Sequence, residues 1–301
     1  MRLKPIHIVR KLKENALNAT KTATDLGVHK STVYRWKLKA TSTNGYNTYI
    51  RTTKLRRRST RPTSIEYALT SNEEIDIIKL RKAKGYGAKK IKKLLSLNVH
   101  HKTIYRFLRS KGLVNIKPRY KRPRFQDTKH MHLKNTKTIG YLQMDVKYIT
   151  PELSGLPWTC FEYAVIDIYS RYKEAVILNQ CDSDGAVLSL IEILNRMPFK
   201  AVFIQTDNGF EFQGKFIKYL QDINLTHHFI HKSTPNENAV IERSFRTDEE
   251  EFFFRLEEPC KDYDDLREKF AIYLKEYNTY RPHLGIDLKT PIEVVANVMS
   301  P

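Results

Sequence analysis

Three acids in this 301-residue sequence stand where a carboxylate has a chemical use. Asp145 lies in the middle of Tyr141-Leu-Gln-Met-Asp-Val-Lys-Tyr-Ile149, whose β-branched and aromatic content reads as a strand. A carboxylate there is costly unless it is paired or holds a cation. Asp207 closes the apolar run that starts at Ala201 and precedes Asn208-Gly209, so it marks a strand end, where α/β folds place reactive groups. Glu242 follows a segment from Ser233 to Ile241 that reads as a loop opening a helix, with Asn236 as a cap and Glu242 about one and a half turns in. Singly each acid is weak evidence, since strand Asp residues are often structural and helical Glu usually faces water. Brought together, the three would repel one another and attract cations.

Other groups compete for attention. Asp167 sits in the apolar stretch Phe161 to Ile168 and reads as structural, hydrogen-bonded near Ser170 or Arg171. Glu211 reads as a surface or loop residue, and the run Asp248-Glu249-Glu250-Glu251 as a solvated helix face. His227, His228 and His231 with Cys260 raise the question of zinc, but their spacing fits no standard ligand pattern and no zinc site is expected. Cys160, Cys181 and Cys260 are too few and too scattered for a disulfide framework, which points to the reducing cytoplasm. No stretch of about 18 apolar residues exists, so no membrane partner is expected.

The elements that must position the acids begin near residue 138, where strand-like runs alternate with helical patterns in the manner of an α/β domain. We read 138–256 as this core and 257–301 as its helical extension. Ahead of it lie a helical unit at 1–40, a basic linker at 41–70, a second helical unit at 71–113 and a basic connector at 114–137. Charge divides the same way. Residues 1–130 hold 34 Lys/Arg against 7 Asp/Glu, a net of +27, and the rest hold 19 against 26, a net of −7. So basic a front implies a nucleic-acid partner, because Lys and Arg neutralise phosphates and release counterions.

The two helical units repeat. Leu26 to Trp36 aligns with Leu97 to Phe107 at an offset of 71, with six of eleven positions identical. Gly27 and Asn98 coincide and are the residue types that most readily take the left-handed conformation of a tight turn. The pairs Val33/Trp36 and Ile104/Phe107 share one helix face, leaving Lys30, Thr32, Tyr34 and Arg35, and His101, Lys102, Thr103, Tyr105 and Arg106, outward or at the helix start. This is the layout of a helix-turn-helix, whose second helix enters the major groove. Arg56, Arg57 and Arg58 in the linker fit either a minor-groove arm or a basic tether. Arg119, Lys121, Arg122 and Arg124 in the connector are further candidates for backbone contact.

Five segments in order carry a family resemblance: Met144-Asp145, Asp167 to Arg171, Thr206 to Phe212, Asn238 to Arg243, and Tyr277 to His283 with Thr290-Pro291. The chain resembles the retroviral-integrase superfamily, and within it the bacterial insertion-sequence transposases with an Asp, Asp, Glu core. The spacing between Asp207 and Glu242 is 34 residues, one short of many relatives. The resemblance implies a ribonuclease-H-like core, a five-stranded mixed sheet flanked by helices, preceded by two all-α helix-turn-helix domains. It implies that Asp145, Asp207 and Glu242 are catalytic and ligate two divalent ions, Mg2+ with Mn2+ substituting, with Asp145 bridging both. It casts Asn208, Glu237 and Asn238 as supporting residues and Arg243 and Arg246 as holders of the DNA backbone.

The function so implied is a DNA transposase that binds terminal inverted repeats, cleaves at the element ends and joins the 3′-hydroxyl to target DNA. Such an enzyme would work as a homodimer or larger assembly on double-stranded DNA in the cytoplasm, at the nucleoid. The alternatives are a catalytically silent DNA-binding regulator and a ribonuclease-H-like nuclease without strand transfer.

Overall fold

A computed structural model describes residues 4–44, 47–50, 68–114, 136–231 and 237–300. Arg56, Arg57, Arg58, Arg119, Lys121, Arg122, Arg124 and Asn236 lie outside the described residues. The chain divides into two compact units, Met1–Glu66 and Tyr67–Pro301.

In the first unit, helices α1 (Pro5–Glu14), α2 (Ala19–Asp25) and α3 (Lys30–Ala40) enclose a small core of Ile8, Val9, Leu12, Val33 and Trp36. Asn18 starts α2 by accepting hydrogen bonds from the Thr20 and Lys21 amides, satisfying donors that have no helical partner. Gly27 has φ +59° and turns the chain into α3. The linker region is not wholly irregular: β1 (Thr41–Asn44) and β2 (Asn47–Ile50) pair antiparallel.

The second unit opens with α4 (Ser71–Lys84), α5 (Ala88–Leu94) and α6 (His101–Ser110) around Ile77, Tyr86, Ile91, Ile104 and Leu108. Thr70 and Glu73 form a reciprocal capping box at the start of α4. The expected left-handed turn at Asn98 is corrected here. α5 ends two residues sooner in the aligned frame, so six residues separate α5 from α6 where four separate α2 from α3, and the left-handed residue is Ser96 with φ +48°.

The remaining strands, β3 (Tyr141–Ile149), β4 (Cys160–Asp167), β5 (Lys173–Leu178), β6 (Phe203–Thr206) and β7 (Thr226–Phe229), form one sheet in the order β5-β4-β3-β6-β7. β4 runs antiparallel to both of its neighbours, β3 and β5, and β6 and β7 run parallel to β3. This is the mixed five-stranded sheet of the ribonuclease-H-like fold. A short α7 (Pro151–Ser154) follows β3. Because side chains alternate across a strand, Leu142 and Met144 of β3 point to one face. There they join Tyr163 and Val165 of β4 and are covered by Leu190 and Ile193 of α8 (Ser183–Arg196) and by Phe216 and Leu220 of α9 (Lys215–Asp222). The opposite face takes Ala164 and Ile166, packed under Ile241 and Phe245 of α10 (Ala239–Glu251) and Phe270 and Leu274 of α11 (Tyr263–Thr279). The 257–301 segment thus supplies part of the core layer, and α12 (Pro291–Met299) closes the chain behind a Thr290–Glu293 capping box. Cys160 and Cys260 are both buried in the α10–α11 core. Among the described residues no helix is long and apolar enough to cross a membrane.

Candidate active site

Strand alternation also decides where Asp145 goes. With Met144 in the α8–α9 core, Gln143 and Asp145 turn to the face beneath α10. Gln143 is the link that sequence reasoning missed. Its Oε1 accepts the Ile241 amide at 3.1 Å, one of the first-turn donors of α10. Its Nε2 donates to the Glu237 carbonyl, which also receives Gln205 Nε2 at 3.3 Å. Gln143 and Gln205 are register partners on the parallel pair β3–β6. A Gln at matched positions of two apolar strands was the available signal.

The helix that carries Glu242 is therefore capped by the strand that carries Asp145. α10 starts at Ala239, so the cap position is Asn238, not Asn236, and Glu242 lies in the first turn rather than one and a half turns in. Asn238 makes no side-chain cap. Instead its Nδ2 donates to Asp145 Oδ2 at 3.0 Å, while its buried Oδ1 has no partner. Asp145 Oδ1 accepts its neighbour's amide, Val146 N–H, at 2.8 Å.

Asp207 stands just beyond the end of β6, and its Oδ1 accepts the Gly209 amide at 2.9 Å. Burial pushes the Asp145 carboxyl up to about 7, and the charges of Asp207, Glu242 and Glu211 add to the rise. Asp145 therefore feels the charges of both other acids singled out in the sequence. Glu211, expected to be a surface or loop residue, lies in the short turn Phe210–Phe212 and belongs to the same field. A half-buried acid that feels the charges of three others, with an orphaned amide oxygen nearby, is the donor set a hard divalent cation takes.

Other expectations sort as follows. Asp167 is structural: Oδ2 accepts the Ser170 amide and hydroxyl at 2.7 Å, and Oδ1 accepts the Gly140 amide at 2.8 Å. Asn208 donates to the Ile230 carbonyl at 3.1 Å and so ties the turn after Asp207 to the end of β7. The Glu237 carboxylate turns to His231, accepting its amide at 2.9 Å, while its carbonyl serves Gln143 and Gln205. Arg243 and Arg246 are exposed on α10. Arg243 also lines a cavity of about 300 Å³ with Lys90, Arg171 and Arg281. On the helical units, Lys30, Tyr34 and Arg35, and Lys102, Tyr105 and Arg106, are exposed, while Thr32, His101 and Thr103 are half-buried.

The run 248–251 is not a solvated face. Asp248 is fully buried and pairs with Lys173, which also meets Glu162 Oε1 at 2.8 Å. Tyr273 donates to Asp248 Oδ1 at 2.9 Å. Burial would lower the Lys173 ammonium, but Asp248 and Glu162 overrule it and hold the charge. Burial raises Glu162 to about 7 against the pull of Lys173. Glu249 pairs with Lys147, and Glu251 with Arg281 at 2.5 and 2.8 Å and Lys90 at 2.9 Å. Only Glu250 of the four is exposed. Tyr277 is in the core, Asn278 brackets the Lys173 backbone at 3.0 and 2.7 Å, and His283 lies between Arg281 Nη1 at 3.0 Å and the Tyr277 carbonyl at 3.1 Å.

Residues 223–291 match the family model described as "Integrase core domain". The ORF3 product of Spiroplasma virus SpV1-C74, an integrase by name, is 27% identical over 228 residues, which are 69% of this chain and 60% of that protein. The chain thus spans 60% of that relative's length. Among solved structures, a chain of the simian T-cell lymphotropic virus intasome bound to a PP2A regulatory subunit aligns at TM-score 0.45 and 15% identity, covering 75% of each chain. The catalytic core domain of BIV integrase aligns at 0.42 and 18%, covering 52% of this chain and 94% of that one. Residues 223–291 are thus similar to an integrase core domain, and 69% of the chain to a viral protein named as an integrase.

Proposed function

We propose that this chain is a DNA transposase whose core cuts at the ends of an insertion sequence and joins the freed 3′-hydroxyl to target DNA. The observation that supports the reading is Asp145, held by the Asn238 amide four residues before Glu242 and raised by burial and by the charges of Asp207, Glu242 and Glu211. Asp145, Asp207 and Glu242 would hold two divalent ions, Mg2+ or Mn2+, whose chemistry when bound is to activate a water or hydroxyl and to stabilise the leaving oxygen of an in-line displacement. The chain's own residues do the positioning. Gln143 caps α10 and aims Glu242, Asn238 orients the Asp145 carboxylate, and the Asp207–Gly209 contact shapes the turn at the end of β6.

DNA recognition is assigned to the two three-helix groups as helix-turn-helix modules. Their outward residues Lys30, Thr32, Tyr34 and Arg35, and His101, Lys102, Thr103, Tyr105 and Arg106, face the element ends. Arg243 and Arg246 flank Glu242 and contact the backbone near the scissile phosphate. The basic clusters at 56–58 and 119–124 add charge along the duplex. Two ends are handled together, so the working form is a homodimer or larger assembly on DNA.

The test incubates the purified chain with Mg2+ or Mn2+, labelled terminal-repeat DNA and a target plasmid. Joined products that vanish with Asp207→Asn are expected. Cleavage without joining would replace this reading with a simple nuclease, and binding unaccompanied by either would replace it with a regulator.

A further inference from the structure

Beside the carboxylate site lies a second cluster with different chemistry. One ligand atom each from His228, His231 and Glu237 all fall within 4.8 Å of one another. His228 is on β7, His231 is two residues past its end, and Glu237 directly precedes Asn238 at the start of α10. The two imidazole rings meet edge to face with centroids 5.4 Å apart. His231 Nδ1 lies 3.0 and 3.1 Å from the two Glu237 carboxylate oxygens. The Glu237 side chain is only 8% exposed, and its backbone is anchored by Gln143 and Gln205, so the carboxylate is held in place rather than free to swing.

From this geometry we propose a zinc site made by His228, His231 and Glu237, distinct from the Asp145 site and independent of the reaction proposed above. Two imidazoles and a carboxylate are a zinc donor set that leaves a fourth position for water. Ligand atoms at zinc-bonding distances in a tetrahedron stand about 3.4 Å apart, so the cluster needs to close by roughly 1 Å, a rotamer adjustment. Imidazole nitrogen favours Zn2+ over Mg2+, which takes hard oxygen ligands. The charges that act on Asp145 are those of Asp207, Glu242 and Glu211, none of which belongs to the cluster. Cys260, which the sequence set beside these histidines, is buried in the α10–α11 core. The third candidate ligand is instead Glu237, six positions past His231. A bound ion would tie the end of β7 to the residue before Asn238, and so steady the amide that orients Asp145.

The experiment uses the full chain stripped of metal with a chelator. Zn2+ binding is measured by calorimetric titration in excess Mg2+, with Co2+ as a spectroscopic probe of tetrahedral nitrogen–oxygen coordination. The expected result is one Zn2+ per chain that resists Mg2+ and persists in Asp207→Asn. His228→Ala and Glu237→Gln should each weaken it by at least about tenfold, since even supporting residues of metal sites cost that much. His228→Ala, whose folding is checked by circular dichroism, serves if Glu237→Gln does not fold. Zn2+ binding that is absent, unchanged in His228→Ala, or lost in Asp207→Asn would overturn the proposal.

Discussion

The two faces of the central sheet are held by different physics. Under α8 and α9 the contacts are apolar, built from Leu142, Met144, Val165, Leu190 and Phe216. Under α10 and α11 an apolar core coexists with buried polar pairings: Lys173 with Asp248 and Glu162, Arg281 and Lys90 with Glu251, and Gln143 with Ile241. Apolar packing tolerates repacking of similar volume, whereas hydrogen bonds and buried ion pairs accept one register. The site-bearing helix is on the face where register is enforced.

The largest expected break in this comparison is Lys173→Met. It strands Asp248 and Glu162 as buried charges and should destabilise the fold by about 3–5 kcal/mol. Adding Asp248→Asn and Glu162→Gln should recover part of the loss. On the other face, Leu190→Ala should cost about 2–5 kcal/mol, with no partner change that rescues it. Chemical denaturation of the series checks both, and additive costs within the Lys173 group would count against a coupled network.

The next effect is the pH response of Asp145. Its carboxyl sits at about 7 in the folded chain against about 3.9 unfolded. The folded state therefore keeps the proton across that window, and its stabilising contribution is present below about pH 4 and lost as pH rises to about 7. In metal-free buffer Asp145→Asn should remove this fall, worth a few kcal/mol at most, and be more stable than the parent at pH 8. Added Mg2+ should raise the melting temperature of the parent at pH 8 and leave Asp145→Asn nearly unmoved. Parallel thermal-melt profiles of the two proteins would sink the assignment of that burial cost.

A smaller effect follows from Gln143→Ala. It frees the Ile241 amide and leaves the Glu237 carbonyl to Gln205 alone, at about 1–3 kcal/mol, and should lower strand joining more than Leu190→Ala does at equal stability. The smallest expected effect lies outside both faces. Arg106→Ala, if its guanidinium meets a phosphate, should reduce the salt slope of DNA binding by about one unit, read from titrations at several salt concentrations, with joining at saturating DNA unchanged.

What the sequence made legible was local. The strand from Tyr141 to Ile149, the acid at the end of β6 and the Asp167–Ser170 contact each rest on neighbours within a few positions. What it hid was made by distant partners. Asp248 looks solvated until Lys173, 75 positions away, is placed against it. Gln143 looks like a tolerated polar residue until Ile241 arrives 98 positions later. Glu237 reads as a helper of Glu242 until the end of β7 brings His228 and His231 to it. The turn at Ser96 was missed because the repeat aligns in sequence while one helix stops two residues early.

α10 bears Glu242 in its first turn and Glu251 in its last, nine residues or about 13 Å apart along the axis. Lys90 of α5 and Arg281 grip the far end. The helix is also pinned at Ile241 by Gln143, and a tilt of about 5° at Glu251 would carry Glu242 through about 1 Å against that near pin. Displacements of that size near a reacting centre cost about a hundredfold in rate. The seating of α5 thus sets the aim of an acid it never touches.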